Sequence, residues 1–117
     1  MPSSWAIYHN PKCSKSRGAL EILHQNGIHA QVIEYLDAGI EAKTFEKIIA
    51  KSKKNPELFL RKKEAEFSEY QEEDLSCARS VAKILEKCPK ILERPVVVRG
   101  DDVVLARPPE LVQELFQ

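Results

Sequence analysis

A short apolar run, Trp5 to Tyr8, passes through His9-Asn10-Pro11-Lys12 into a segment whose apolar residues Ala19, Leu20, Ile22 and Leu23 recur at helical spacing up to Gly27. A second apolar stretch, Gln31 to Tyr35, comes directly after it. A strand, a helix over Ser14 to Asn26 and a second strand, in that order, leave the chain few choices. The helix must cross over to bring the second strand parallel to the first, and such crossovers are right-handed. Gly27 supplies the helix stop.

The far end of the chain also returns to strands. Pro95-Val96-Val97-Val98-Arg99 and Val103-Val104-Leu105-Ala106 flank Gly100-Asp101-Asp102, the pattern of an antiparallel hairpin. Pro108-Pro109 then opens a last helix through Leu111, Val112 and Leu115. The middle reads as helical. Ala42 to Ala50 carries Phe45, Ile48 and Ile49 on one face, and Pro56 opens a short helix holding Leu58, Phe59 and Leu60. A further helix over Asp74 to Lys87 turns Ala78, Val81, Ala82 and Leu85 inward and stops at Pro89. Without those helices the order is βαβ then ββα. The predicted class is therefore α/β and thioredoxin-like, a single domain over residues 1–117 with a helical insertion at about 40–90.

Composition narrows the function. Eighteen basic and eighteen acidic residues cancel, which argues against a general nucleic-acid or membrane-surface binder. The local clusters Arg61-Lys62-Lys63 and Lys51, Lys53, Lys54 read as solvated faces. No stretch is apolar and long enough to span a bilayer, and no export signal stands at the N-terminus. The three cysteines, Cys13, Cys77 and Cys88, are odd in number and far apart, a poor disulfide framework that suits a reducing cytoplasm. Neither they nor His9, His24 and His29 show metal-ligand spacing, so no metal is expected.

Cys13 falls in the loop between first strand and first helix, at the helix N-terminus. Unpaired backbone N–H groups and the positive end of the helix dipole favour an anion there, and a thiolate is the nucleophilic form of cysteine. Lys12, Lys15 and Arg17 add positive charge. Ser16 stands where a Cys-x-x-Cys motif would have its second thiol, so the site works as a single thiolate, and the Ser16 hydroxyl is expected to donate to it. His9 either lowers the thiol pKa as an imidazolium or bonds the loop backbone; Asn10 orders the turn and Pro11 stiffens it. In a thioredoxin-like fold the segment before the third strand carries a cis proline beside the reactive loop, which predicts a cis Arg94–Pro95 bond. Arg61, Arg94 and Arg107 offer rigid donor forks suited to oxyanions. Arg94 and Arg107 sit at ends of the hairpin strands, and the segment before Pro95 lies close to the Cys13 loop, where guanidiniums would offset the repulsion between a thiolate and a second anion.

Four motifs in order carry a family resemblance: Ile7 through Arg17, Leu60-Arg61-Lys62-Lys63-Glu64, Glu93-Arg94-Pro95-Val96-Val97-Val98, and Ala106-Arg107-Pro108-Pro109-Glu110. The chain resembles the glutaredoxin-dependent arsenate reductases of the ArsC family, which share a fold with the Spx regulators. The resemblance implies that arsenate binds among Arg61, Arg94 and Arg107, and that Cys13 attacks arsenic to form a thiolate–arsenate adduct. Glutathione then attacks, arsenite leaves, and glutaredoxin clears the mixed disulfide. It further implies that His9 and Ser16 tune the thiol, that no cofactor is bound, that glutathione is a co-substrate, and that the protein acts as a cytoplasmic monomer. Three other readings use the same residues. One is a glutathione-linked thiol–disulfide oxidoreductase without arsenate. Another is an Spx-like RNA polymerase-binding regulator, which Ser16 in place of a second cysteine argues against. The last is an arsenate reductase with an internal relay through Cys77 or Cys88 and thioredoxin as reductant.

Overall fold

The structure of the chain, a computed structural model, describes residues 5–116. It divides into two compact units, one running to Ala38 and resuming at Arg94, the other spanning Gly39–Glu93.

The first unit holds a four-stranded sheet: β1 (Trp5–Tyr8), β2 (Gln31–Ile33), β3 (Val96–Arg99) and β4 (Asp102–Leu105), in the order β2-β1-β3-β4. The crossover helix is α1 (Ser14–Gln25), and it delivers β2 parallel to β1 as the apolar spacing predicts. β3 and β4 form the predicted hairpin, antiparallel to β1 and to each other. This is the α/β, thioredoxin-like arrangement. Tyr8, the last residue of β1, is paired with Ile33 on one side and with Val96 on the other. The residues just after β1, just after β2 and just before β3 therefore share one end of the sheet.

α1 buries Ala19 and Leu23 against Ile7, Val97, Val104 and Ala106 of the sheet, with Val112 and Leu115 from the C-terminal segment completing the core. That segment, Pro109–Leu115, is a 3₁₀ helix. Gly18 lets it lie close to α1, because a Cβ at Gly18 would stand 3.2 Å from Pro109. The Arg94–Pro95 bond is cis, as expected, and so is Arg107–Pro108, which no local pattern predicts.

β2 is shorter than expected. The Glu34 carbonyl accepts from the N–H groups of Asp37 and Ala38, so the backbone turns into a short helix, α2 (Tyr35–Ala38), with Tyr35 fully buried.

In the second unit, α3 (Ala42–Ser52) and α4 (Ala78–Lys87) face each other through Phe45, Ile48 and Ile49 on one and Val81, Ala82, Ile84 and Leu85 on the other. Phe45 meets Phe59 of the 3₁₀ turn Pro56–Phe59 edge to face at 6.0 Å. α4 starts at Ala78 and not at Asp74, because Asp74 Oδ1 accepts from both the N–H and the hydroxyl of Ser76 and holds those residues in a turn. Ala65–Tyr70 forms a 3₁₀ turn anchored by buried Phe67, where the sequence pattern predicts no element. Among the described residues, no helix is long and apolar enough to cross a membrane.

Candidate active site

The loop after β1 is closed by hydrogen bonds that its own sequence supplies. Asn10 does most of the ordering: its Oδ1 accepts the Lys12 N–H at 3.0 Å and its carbonyl accepts the Cys13 N–H at 3.0 Å. Arg17, one helical turn beyond Cys13, donates from Nη1 to the Pro11 carbonyl at 2.8 Å. Cys13 itself is the N-cap of α1, in extended conformation and half-buried. The first N–H groups of the helix, which have no partner within it, therefore lie at the end of α1 that carries the thiol.

Burial alone pushes the Cys13 thiol up, yet the polar groups near it hold it below its ordinary value: the Ser16 N–H, the Arg94 side chain and charge, and the Lys15 N–H all favour the thiolate. Arg94 comes from the segment before β3, which the shared register places beside the loop. Its Nε–H is buried and has no hydrogen-bond partner among the described residues. Arg107 donates from Nη1 to the Arg94 carbonyl at 3.0 Å and so braces the backbone that carries the first guanidinium. Arg61 lies in the other unit, where its Nε faces Glu64 Oε1 at 3.6 Å and its N–H donates to the Ile91 carbonyl.

The expectation for Ser16 changes, and of the two readings of His9 the imidazolium one falls away. The Ser16 hydroxyl does not serve the thiol: its oxygen accepts the Asn10 N–H at 3.0 Å and stands 2.6 Å from His9 Nδ1, while it is the backbone N–H of Ser16 that favours the thiolate. Both Ser16 and His9 are buried. Nor is His9 an imidazolium. Burial, helped by the Arg17 charge and opposed by Glu34, pushes it below its ordinary value of 6.5, so at neutral pH the ring is uncharged. With the Asn10 N–H already on the hydroxyl oxygen, the hydroxyl proton can go to Nδ1 of the neutral ring. His9 thus acts on the loop through Ser16.

Ser16→Ala tests this division of labour. It strands the buried Nδ1 and the Asn10 N–H, and is expected to lower unfolding free energy by about 1–3 kcal/mol. The thiol keeps its Ser16 backbone donor, so its titration, monitored by thiolate ultraviolet absorbance, is expected to move less than in Arg94→Ala. A larger shift in Ser16→Ala would mean that the hydroxyl does act on sulfur.

Arg17 and Glu34 join the site beyond the residues predicted for it. The spacing of Arg17 from Cys13 by one helical turn is legible in the sequence. The action of Glu34 on His9 needs the parallel register of β1 with β2. Among the described residues, no three His, Cys, Asp or Glu side chains are grouped to hold a metal ion.

What this geometry supports is an activated single thiolate with a guanidinium beside it. A model of the ArsC family matches residues 8–115. The chain is 31% identical over 112 residues to an arsenate reductase of Haemophilus influenzae, covering 94% of this chain and 97% of the relative. It is 35% identical over 111 residues to the uncharacterized protein YfgD of Escherichia coli, covering 93% of each. Its fold superposes on the structure of an arsenate reductase from Vibrio cholerae with a TM-score of 0.85 at 33% identity, over 94% of this chain and 95% of the other.

Proposed function

The chain belongs to the ArsC family, and from that premise we propose that it is an arsenate reductase acting through the Cys13 thiolate. The observation that carries the proposal is the state of Arg94. Its guanidinium favours the Cys13 thiolate, while its buried Nε–H lacks an acceptor that an oxyanion would supply. Two anions, a thiolate and arsenate, repel; a shared cation offsets that repulsion where they must meet.

In the proposed sequence, Cys13 attacks arsenic and an arsenate oxygen leaves as water. Arg94 and Arg107 hold the remaining oxygens, and the family resemblance gives Arg61 and Asn10 a share in binding the anion. A glutathione thiolate next attacks the adduct. Arsenic leaves as arsenite, carrying two electrons, and Cys13 remains as a mixed disulfide with glutathione. Glutaredoxin attacks the glutathione sulfur and releases the Cys13 thiolate. The protein itself holds no cofactor in this scheme, and it works in the reducing cytoplasm.

The test is arsenate-dependent NADPH oxidation with glutathione, glutathione reductase and glutaredoxin. Turnover is expected, and it is expected to survive Cys77→Ser combined with Cys88→Ser, since no relay thiol is needed. Loss of turnover in that double variant would restore the relay. No arsenate-dependent oxidation, with Cys13 still open to alkylation, would move the assignment to a glutathione-linked thiol–disulfide oxidoreductase.

A further inference from the structure

The Cys13 loop has two flanks, and they differ in charge. β3 lies on one side of β1 and brings Arg94; β2 lies on the other and brings Glu34 and, through α2, Asp37. On that second side a cleft of about 170 Å³ opens, lined by His9, Pro11 and Lys12 from the loop and by Glu34, Leu36 and Asp37 beyond β2. Because Pro11 and Lys12 directly precede Cys13, the cleft is continuous with the nucleophile's own loop.

Its lining is prepared for a ligand bearing charges of both signs. Lys12, Glu34 and Asp37 are exposed, and none of them forms an ion pair with a described residue. Leu36, 49% exposed, and Pro11 give the cleft an apolar wall. His9, only 6% exposed, is among its lining residues.

We propose that this cleft seats the ammonium-bearing γ-glutamyl end of glutathione, placing its thiol to attack the Cys13 adduct from the flank opposite Arg94. The identity of the reductant rests on the function proposed above. Glu34 and Asp37 face the ammonium, Lys12 its neighbouring carboxylate, and Leu36 with Pro11 the methylenes between. An ammonium would be repelled from the Arg94 flank, and arsenate from the acidic one, so the two reactants are sorted to opposite sides of one sulfur.

The test needs no arsenate, so its result stands apart from whether arsenate is the substrate. The Cys77→Ser, Cys88→Ser chain, reduced, is mixed with oxidised glutathione or with bis(2-hydroxyethyl) disulfide, which is uncharged. In either reaction the Cys13 thiolate attacks one sulfur, the S–S bond breaks, one half stays on Cys13 as a mixed disulfide and the other leaves as a thiolate. Mass spectrometry tracks the adduct. Asp37→Asn is expected to slow the reaction with oxidised glutathione by about threefold. The uncharged disulfide is expected to react as before. Oxidised glutathione acetylated on its amines, having no ammonium, is expected to react equally with both proteins. Equal slowing toward the charged and uncharged disulfides would show that Asp37 acts on the thiol, and no slowing toward either would show that the cleft does not read the ammonium; each result overturns the proposal.

Discussion

Cys13→Ser is expected to abolish the proposed reduction, lowering arsenate-dependent turnover by about 10⁴-fold or more, to the background of the coupled assay. The size of the effect has two separate sources. A hydroxyl is not ionised by the donors that hold the thiol low, namely the Ser16 and Lys15 N–H groups and Arg94, so the attacking anion is lost. The second source is redox chemistry. Reduction of arsenic takes its electrons through sulfur, and a serine ester could not go on to a mixed disulfide even if it formed. The variant is otherwise nearly isosteric and is expected to fold, which circular dichroism would check. Turnover above background in the folded variant would mean that Cys13 is not the reacting atom.

Arg94→Ala is expected to lower kcat/KM for arsenate by about 10²–10³-fold, the cost of removing one donor from a site of developing negative charge. It is also expected to change the pH profile in a direction that the contacts dictate. Burial favours the neutral thiol; the Ser16 N–H, Arg94 and the Lys15 N–H favour the thiolate. Deleting Arg94 removes a donor and a nearby positive charge that favour the thiolate, so the pKa rises. Between the lowered native value and that of a free thiol, about 8.5, the parent is ionised and the variant is not. Alkylation by iodoacetamide is therefore expected to differ most in that window and to converge at higher pH. Arg94→Lys, which keeps the charge and loses the planar fork, is expected to recover part of the pKa shift and little of the turnover. An unchanged alkylation profile in Arg94→Ala would remove Arg94 from the thiol.

The parts of the fold that are legible in the sequence are those written locally. The run Trp5 to Tyr8, the spacing of Ala19 and Leu23, the Gly27 stop and the valine pairs around Gly100 each mark an element through its own residues. Their order dictates the thioredoxin-like sheet, and that sheet the cis Arg94–Pro95 bond. Departures come where polar groups bond nearby backbone. Asp74 keeps Ser76 out of α4. The Glu34 carbonyl ends β2 early, and no apolar pattern announces such a turn.

At the site, residue types are legible and directions are not. His9, Ser16 and Cys13 stand out together, but which Ser16 donor faces sulfur depends on the angle at which the loop enters α1. The neutrality of His9 depends on burial, which the core around it decides. Arg107 reads as a ligand for the anion; that one of its nitrogens holds the Arg94 carbonyl depends on how the ends of β3 and β4 meet.

The pairing of Tyr8 with Val96 has a consequence for the life of the chain. Cys13 emerges from the ribosome early, and the helix that caps it can form from its immediate neighbours. Arg94 reaches it only when the C-terminal hairpin has been made and docked against β1. On a nascent or partly opened chain the cysteine lacks that guanidinium and is a more ordinary thiol, less prone to oxidation and to stray adducts. Its chemical reactivity is thus a reporter of completed tertiary structure, switched on by the final strands.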